Sequence, residues 1–111
     1  MKNQDVITNL FVLRKSASSN KNLQVLVKKQ RQVGGLALLQ NYSSIIAFYM
    51  YFMDSQDNFI KKLVINSSYL HYSKTTQTII NKVISVAKIN NIDVVYLELT
   101  KEDEINLKYA E

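Results

Sequence analysis

A run of nine apolar residues, residues 45–53, constrains what this chain can fold into more than any other feature of its sequence. The run is about half of the roughly 20 residues that a helix needs to cross a bilayer, so a membrane span is not expected. Its side chains are apolar on both sides of an extended strand, which is typical of a central strand covered on both faces. One side would hold Ile45, Ala47, Tyr49 and Tyr51, and the other Ile46, Phe48, Met50 and Phe52.

Four further stretches have the pattern of strands around this core strand. Residues 22–29 alternate between apolar and polar side chains, as in a half-buried strand. Strands are also predicted over residues 36–39, 59–65 and 93–99. Gly34 and Gly35 lie between two apolar stretches and predict a turn or bulge. Lys61 and Lys62 suggest that the strand containing them lies near a sheet edge.

The long helix of the fold is predicted over residues 75–90, where the apolar residues change to a helical period and form one wide face. Ser73, Thr75 or Thr76 can cap its start with a hydroxyl, and the Asn90-Asn91 pair can supply a left-handed exit at its end.

Two shorter helices complete the expected fold. Residues 5–15 have apolar side chains at helical spacing. Thr100 is a residue type that caps helix starts, and the acidic residues 102–104 after it suit the first turn of a helix. The predicted fold class is α+β: an antiparallel sheet of about four to five strands packed against one long helix, with short N- and C-terminal helices.

Composition and charge narrow the kind of protein. The 111 residues contain no cysteine, which excludes a disulfide framework and a thiolate metal site, and no export signal is recognisable. We expect a single domain, residues 1–111, in the cytoplasm. Residues 1–53 carry seven Lys or Arg against one acid, whereas residues 93–111 carry six acids against two lysines. This asymmetry either steers an anionic partner to one face or lets the basic front of the chain fold against its acidic back.

No catalytic or metal-binding set is recognisable. His71 is the only histidine, and no acid lies within ten residues of it to orient the ring for general-base catalysis. Without cysteine, a zinc site would need mostly carboxylate ligands. Asp54 and Asp57 lack the other ligands of a calcium loop, and no phosphate-loop lysine follows the adjacent glycines. The sequence therefore predicts a protein that is not an enzyme and needs no metal or cofactor.

Basic residues interleaved with aromatic residues are the remaining signal for binding. Lys and Arg on one face can neutralise phosphates, and exposed tyrosines can stack on bases. The predicted nucleic-acid contacts are Arg14, Lys15, Lys28, Lys29 and Arg31. The last three are the strongest candidates because they cluster at a strand end.

Two separate segments together match one sequence pattern. Residues 41–47 read N-Y-S-S-I-I-A, and residues 72–76 read Y-S-K-T-T. They resemble a pattern in small phage, plasmid and prokaryotic proteins of unknown function, roughly S-Y-x-T-x-I-A, then a strand pair, then Y-S-x-T-T at a helix start. The matching positions are Tyr42, Ser44, Ile46, Ala47, Tyr72, Ser73, Thr75 and Thr76. A histidine often follows the paired threonines in those proteins, and Ile79 or a neighbour takes that place here. The resemblance implies a mobile-element origin and no particular activity.

The second segment has a physical interpretation of its own. A tyrosine would anchor the helix start, and hydroxyls would satisfy N–H groups that can equally receive a phosphate. The candidate contacts for an anion or a partner are Tyr42, Tyr72, Ser73, Lys74, Thr75 and Thr76.

Together these features predict a small non-enzymatic binding protein of a phage or mobile element. Its partner would be nucleic acid or a host nucleoprotein in the host cytoplasm, and inhibition of a host defence system, as by an anti-CRISPR protein, is one form of this function. The alternative is a structural or assembly module that self-associates as a homo-oligomer through its aromatic-rich strand or the wide face of its long helix.

Overall fold

The fold is seen in a computed structural model whose described residues are 23–31, 34–41 and 44–109. Five strands form one sheet in the order of the sequence. They are β1 (Leu23–Arg31), β2 (Gly34–Asn41), β3 (Ser44–Met53), β4 (Phe59–Asn66) and β5 (Asp93–Leu97). After β4 comes a short 3-10 turn, Ser67–Tyr69, and helix α1 (Lys74–Ile89) then leads to β5. Helix α2 (Lys101–Lys108) follows β5. The α+β class and the short C-terminal helix are therefore confirmed.

The sheet is mixed. Strands β1 to β4 each pair antiparallel with the next, whereas β5 pairs parallel with β4. The prediction of an antiparallel sheet is thus wrong at β5, because α1 carries the chain back along the sheet before β5 begins. Strand β4 lies next to the edge strand β5, nearer the sheet edge than the middle strand β3, as predicted. Lys61 and Lys62 are half-buried there, as long side chains can be when their stems lie along an apolar surface.

The apolar run of residues 45–53 is the middle strand β3, as expected, but its two faces depart from strict alternation. Leu39 of β2 pairs with Ala47, and the next residue of β2 pairs with Ile45, so Ile46 is an extra residue in β3. This bulge turns Ile46 and Ala47 to the same side of the sheet. Ile45 and Phe48 share the opposite side. The predicted grouping of Ile45 with Ala47 is wrong for this reason.

The two faces of the sheet are covered unequally. Helix α1 buries Ile79, Ile80, Val83 and Ala87 against one face. Helix α2 has no buried residue, and its Leu107 is only half-buried against the other face. Since burying an aliphatic side chain stabilises by roughly 1.5–3 kcal/mol, most of the helix-to-sheet stabilisation comes from α1.

Gly34 and Gly35 are the first two residues of β2, and neither has a positive φ angle. The prediction of a turn or bulge at these residues is therefore wrong. Gly35 pairs with Tyr51, whose ring lies where a β-carbon on Gly35 would be. The missing side chain makes room for a buried aromatic ring.

The predicted ends of the long helix agree with the structure within a residue. Asn91 has a φ of 56°, which is the left-handed exit that the Asn90-Asn91 pair predicted. The predicted helix of residues 5–15 lies outside the described residues. Within the described ranges, no helix is long and apolar enough to span a bilayer.

Candidate functional site

Helix α1 begins at a serine cap. Ser73 has an extended backbone, and its Oγ accepts a hydrogen bond of 3.1 Å from the Thr76 backbone N–H. The same hydroxyl donates to Thr76 Oγ1 over 3.0 Å. The Ser73 carbonyl accepts the first helical bond, 2.9 Å from Gln77 N. The hydroxyls of Ser73 and Thr76 thus hold the first turn of α1 in place.

This arrangement leaves the start of α1 electrically positive. The backbone N–H groups of Lys74 and Thr75 have no acceptor among the described residues. The first turn also contains no acidic side chain. Free N–H groups and the helix dipole together favour an anion at such a helix end.

An open pocket of about 510 Å³ lies at this end of α1. Its volume is within the usual range of small-ligand sites. It is lined by Asn41, Ser44, Ile46, Tyr69, Tyr72, Ser73, Thr75 and Thr76. Residues from both segments of the resemblance pattern therefore meet in one pocket, which we call the α1 pocket.

Tyr69 and Tyr72 form one wall of the α1 pocket. Their ring centroids are 5.2 Å apart, and the rings are inclined by 64° in an edge-to-face contact. Tyr69 packs against the core beneath α1, whereas the side chain of Tyr72 is 71% exposed. Tyr69 therefore holds in place a neighbouring ring that is open to solvent.

Asn66, at the end of β4, connects the parts of the chain around this pocket. Its side chain is fully buried, and its Nδ2 donates a 2.9 Å hydrogen bond to the Ile45 carbonyl. Its Oδ1 accepts from Ser68 N at 3.2 Å and from Leu99 N at 3.3 Å. One amide thus ties the start of β3 to the 3-10 turn and to the chain that follows β5.

The sequence located half of this pocket. Of the candidate anion contacts, Tyr72, Ser73, Thr75 and Thr76 line it, and Lys74 is exposed in the same helical turn. Tyr42 lies outside the described residues. The candidate set missed Asn41, Ser44, Ile46 and Tyr69. Three of these four lie in the first segment of the resemblance pattern, so the signal was present in the sequence.

The predicted nucleic-acid contacts lie elsewhere. Arg14 and Lys15 are outside the described residues. Lys28, Lys29 and Arg31 are in β1, where Arg31 pairs with Gly34 at the far end of β2 from Asn41. Strand β1 is nine residues long, or about 25–30 Å. The backbone positions of Lys28, Lys29 and Arg31 therefore lie in the half of β1 that is farther from Asn41 and the α1 pocket.

His71 is exposed and does not line the α1 pocket, although it lies between two tyrosines that do. Among the described residues, no carboxylate hydrogen-bonds to its ring, and no group of three His, Asp or Glu side chains is placed to hold a metal ion.

The chain matches no protein-family model, and no curated protein or solved structure is significantly similar to it.

Proposed function

We propose that this protein is a non-enzymatic nucleic-acid-binding protein that holds a single-stranded segment in the α1 pocket. The observation that carries the proposal is the meeting of an exposed aromatic ring and a positive helix end in one cavity. Tyr72 supplies the ring, and the first turn of α1 supplies the free N–H groups.

The two halves of a nucleotide suit the two halves of this site. A phosphate would accept hydrogen bonds from Lys74 N and Thr75 N and would be attracted by the nearby lysine side chain. A base would stack on the Tyr72 ring, which has one edge fixed by Tyr69. The residues described as lining the pocket include no carboxylate that would repel a phosphate.

A single strand is the form of nucleic acid that this site favours. Stacking on a side chain requires a base that is not already stacked in a duplex. The α1 pocket has a volume of about 510 Å³ and no Lys or Arg among its described lining residues, so it would hold one or two nucleotides and not a long stretch of backbone. The basic residues of β1 would contact the phosphate backbone of the same nucleic-acid strand farther along the sheet.

The biological setting of the proposal comes from the resemblance. We place the protein in the cytoplasm of a host cell as the product of a phage or other mobile element. There the single strand would be free or part of a host nucleoprotein, and binding it would inhibit a defence complex, as an anti-CRISPR protein does.

The test is a fluorescence anisotropy titration of labelled single- and double-stranded DNA and RNA of about ten nucleotides across a salt series. We expect single strands to bind best and their affinity to fall as salt rises. Tyr72→Ala should weaken binding by about 1–3 kcal/mol, the range for loss of one base–aromatic stack.

Tyr109→Ala is the matched control, because Tyr109 is 80% exposed at the end of α2, away from the α1 pocket. Equal losses in Tyr72→Ala and Tyr109→Ala, or no binding at low salt, would contradict the proposal. A loss seen only on replacing Lys28, Lys29 and Arg31 with glutamine would move the contact to β1.

Self-association is the second candidate function. The observation that favours it is at the β5 edge of the sheet. The apolar face of α1 gives little support, since it packs on the sheet and leaves Ile89 exposed. Strand β5 is the end strand, and its Tyr96 and Leu97 are about half exposed. Light scattering that shows only monomer at high concentration would remove this candidate.

A further inference from the structure

The side of the sheet that α2 covers contains a second cavity. It is a groove of about 430 Å³ between α2, β3 and the end of β5. We call it the α2 groove. It is lined by Phe48, Leu97, Glu98, Leu99, Asp103, Asn106 and Leu107.

The floor of the α2 groove is apolar and incompletely covered. Phe48 belongs to the core cluster on this side of the sheet, and Leu99 and Leu107 pack against that cluster while remaining half-buried. Leu97, at the edge strand, is 50% exposed. These side chains form one contiguous apolar surface, and such a surface surrounded by polar residues is typical of an interaction site.

The rim of the α2 groove is acidic. Glu98 and Asp103 line it, and both residues are exposed. Hydrogen bonds from the Thr100 backbone and side chain lower the pKa of Asp103, which favours its charged form. The residues described as lining the groove include no Lys or Arg. A bound surface therefore has to supply the positive charge.

This charge distinguishes between a second copy of the chain and a basic segment of another protein. A second copy of the chain related by a two-fold axis would bring the same patch against itself, so Glu98 and Asp103 would face their own counterparts. Like charges placed opposite each other are unfavourable in an interface. A segment with apolar side chains on one face and Lys or Arg at its borders fits both the floor and the rim.

We propose that the α2 groove docks an amphipathic, basic peptide segment of a partner protein. Its apolar side chains would cover Phe48, Leu97 and Leu107, and its cations would pair with Glu98 and Asp103. This surface is separate from the α1 pocket, and the inference does not rest on the proposed nucleic-acid function.

The test uses the full-length protein and two labelled 14-residue peptides of leucine with lysine, or of leucine with glutamate, at helical spacing. Fluorescence anisotropy should show binding of the lysine peptide and at least about tenfold weaker binding of the glutamate peptide. Leu97→Ser and Glu98→Lys should each weaken binding of the lysine peptide by about tenfold.

Ile89→Ser is the control, since Ile89 is 78% exposed at the end of α1 and does not line the α2 groove. It should leave the affinity unchanged. Equal binding of the two peptides, or equal losses in Ile89→Ser and Leu97→Ser, would overturn the proposal. So would a dimer that Leu97→Ser converts to monomer, because the occupant would then be a second copy. Tyr72→Ala should not change peptide binding, which separates this result from the test of the α1 pocket.

Discussion

Helices α1 and α2 begin with the same structural device but differ in charge. Ser73 caps α1 and Thr100 caps α2, each accepting a hydrogen bond from the backbone N–H three residues later. In α2, Asp103 also accepts a 3.0 Å hydrogen bond from Thr100 N, which completes a capping box. The first turn of α2 contains three acidic residues, whereas the first turn of α1 contains none.

Because of this difference, acidic side chains of the protein itself balance the positive charge at the start of α2, whereas none does so at the start of α1 among the described residues. The acids of α2 balance the positive end of its own dipole. Glu104 even reaches β3, where its Oε1 accepts a 2.8 Å hydrogen bond from Ile45 N. The start of α1 has no such acid, so its positive end remains available to an external anion. The α1 pocket therefore suits phosphate and the α2 groove suits cations.

The largest expected effect comes from Asn66, whose amide connects the regions around both helix starts. Asn66→Ala removes hydrogen bonds to Ile45 O, Ser68 N and Leu99 N, which leaves one buried carbonyl and two partly buried N–H groups without these partners. We expect the free energy of unfolding to fall by about 3 kcal/mol, measured by urea denaturation.

Asn81→Ala is the control for Asn66→Ala. Asn81 is exposed on α1 and accepts a hydrogen bond of 2.9 Å from Gln77 Nε2. Its loss should cost about 0.5 kcal/mol or less. A similar small loss in Asn66→Ala would show that the two helix starts are held independently of this amide.

A smaller effect on stability is expected when an acidic residue is placed in the first turn of α1, as in α2. Thr75→Asp places a carboxylate in the first turn of α1, where it should stabilise the fold by about 0.5 kcal/mol through the helix dipole. The same charge should weaken binding of a single-stranded oligonucleotide by about tenfold at low salt. Higher stability with lower affinity is an outcome that general damage to the fold cannot produce.

Thr78→Asp adds the same charge one turn farther along α1, where the exposed Thr78 does not line the pocket. We expect it to change oligonucleotide affinity much less than Thr75→Asp. Equal losses of affinity would indicate a response to net charge alone and would weaken the contrast between the two helix starts.

The helix caps and the charges of the two first turns could be predicted well from the sequence. Hydroxyl residues before the change to helical period narrowed the cap of α1 to Ser73, Thr75 or Thr76, of which Ser73 is the cap. Thr100 was identified as the cap of α2, and residues 102–104 as its acidic first turn. These features depend on residues close together in the chain. The nine-residue apolar run likewise identified the middle strand, since a strand covered on both faces needs apolar residues at every position.

The sequence did not predict features that depend on pairing between distant residues. The bulge at Ile46 is set by the register of β2 against β3, so alternation alone assigned Ile45 to the wrong face. Parallel pairing of β5 follows from the path of α1 and has no local signal. The α1 pocket exists because Asn41, Ser44 and Ile46 come close to residues 69–76, which are distant from them in the chain, and so these three residues were missing from the candidate set.

The smallest effect is expected from removing the charge of Asp103 in the first turn of α2, where α1 has no acidic residue. Hydrogen bonds from the Thr100 backbone, and then from its side chain, lower the pKa of Asp103 in the folded protein. A carboxylate with a lowered folded-state pKa stabilises the fold above its unfolded pKa, and this contribution is lost as the pH falls through the folded value. Asp103→Asn should therefore be less stable than the parent near neutral pH, and the difference should disappear on acidification to about pH 2.

The measurement is the difference in free energy of unfolding between Asp103→Asn and the parent at a series of pH values. Asp54 also has a lowered pKa, mainly through a hydrogen bond from the Asn58 backbone, but it is present in both proteins and cancels in the difference. A difference for Asp103→Asn that stays constant with pH would mean that the capping hydrogen bonds act without the charge, and that the two helix starts differ less in electrostatics than their sequences indicate.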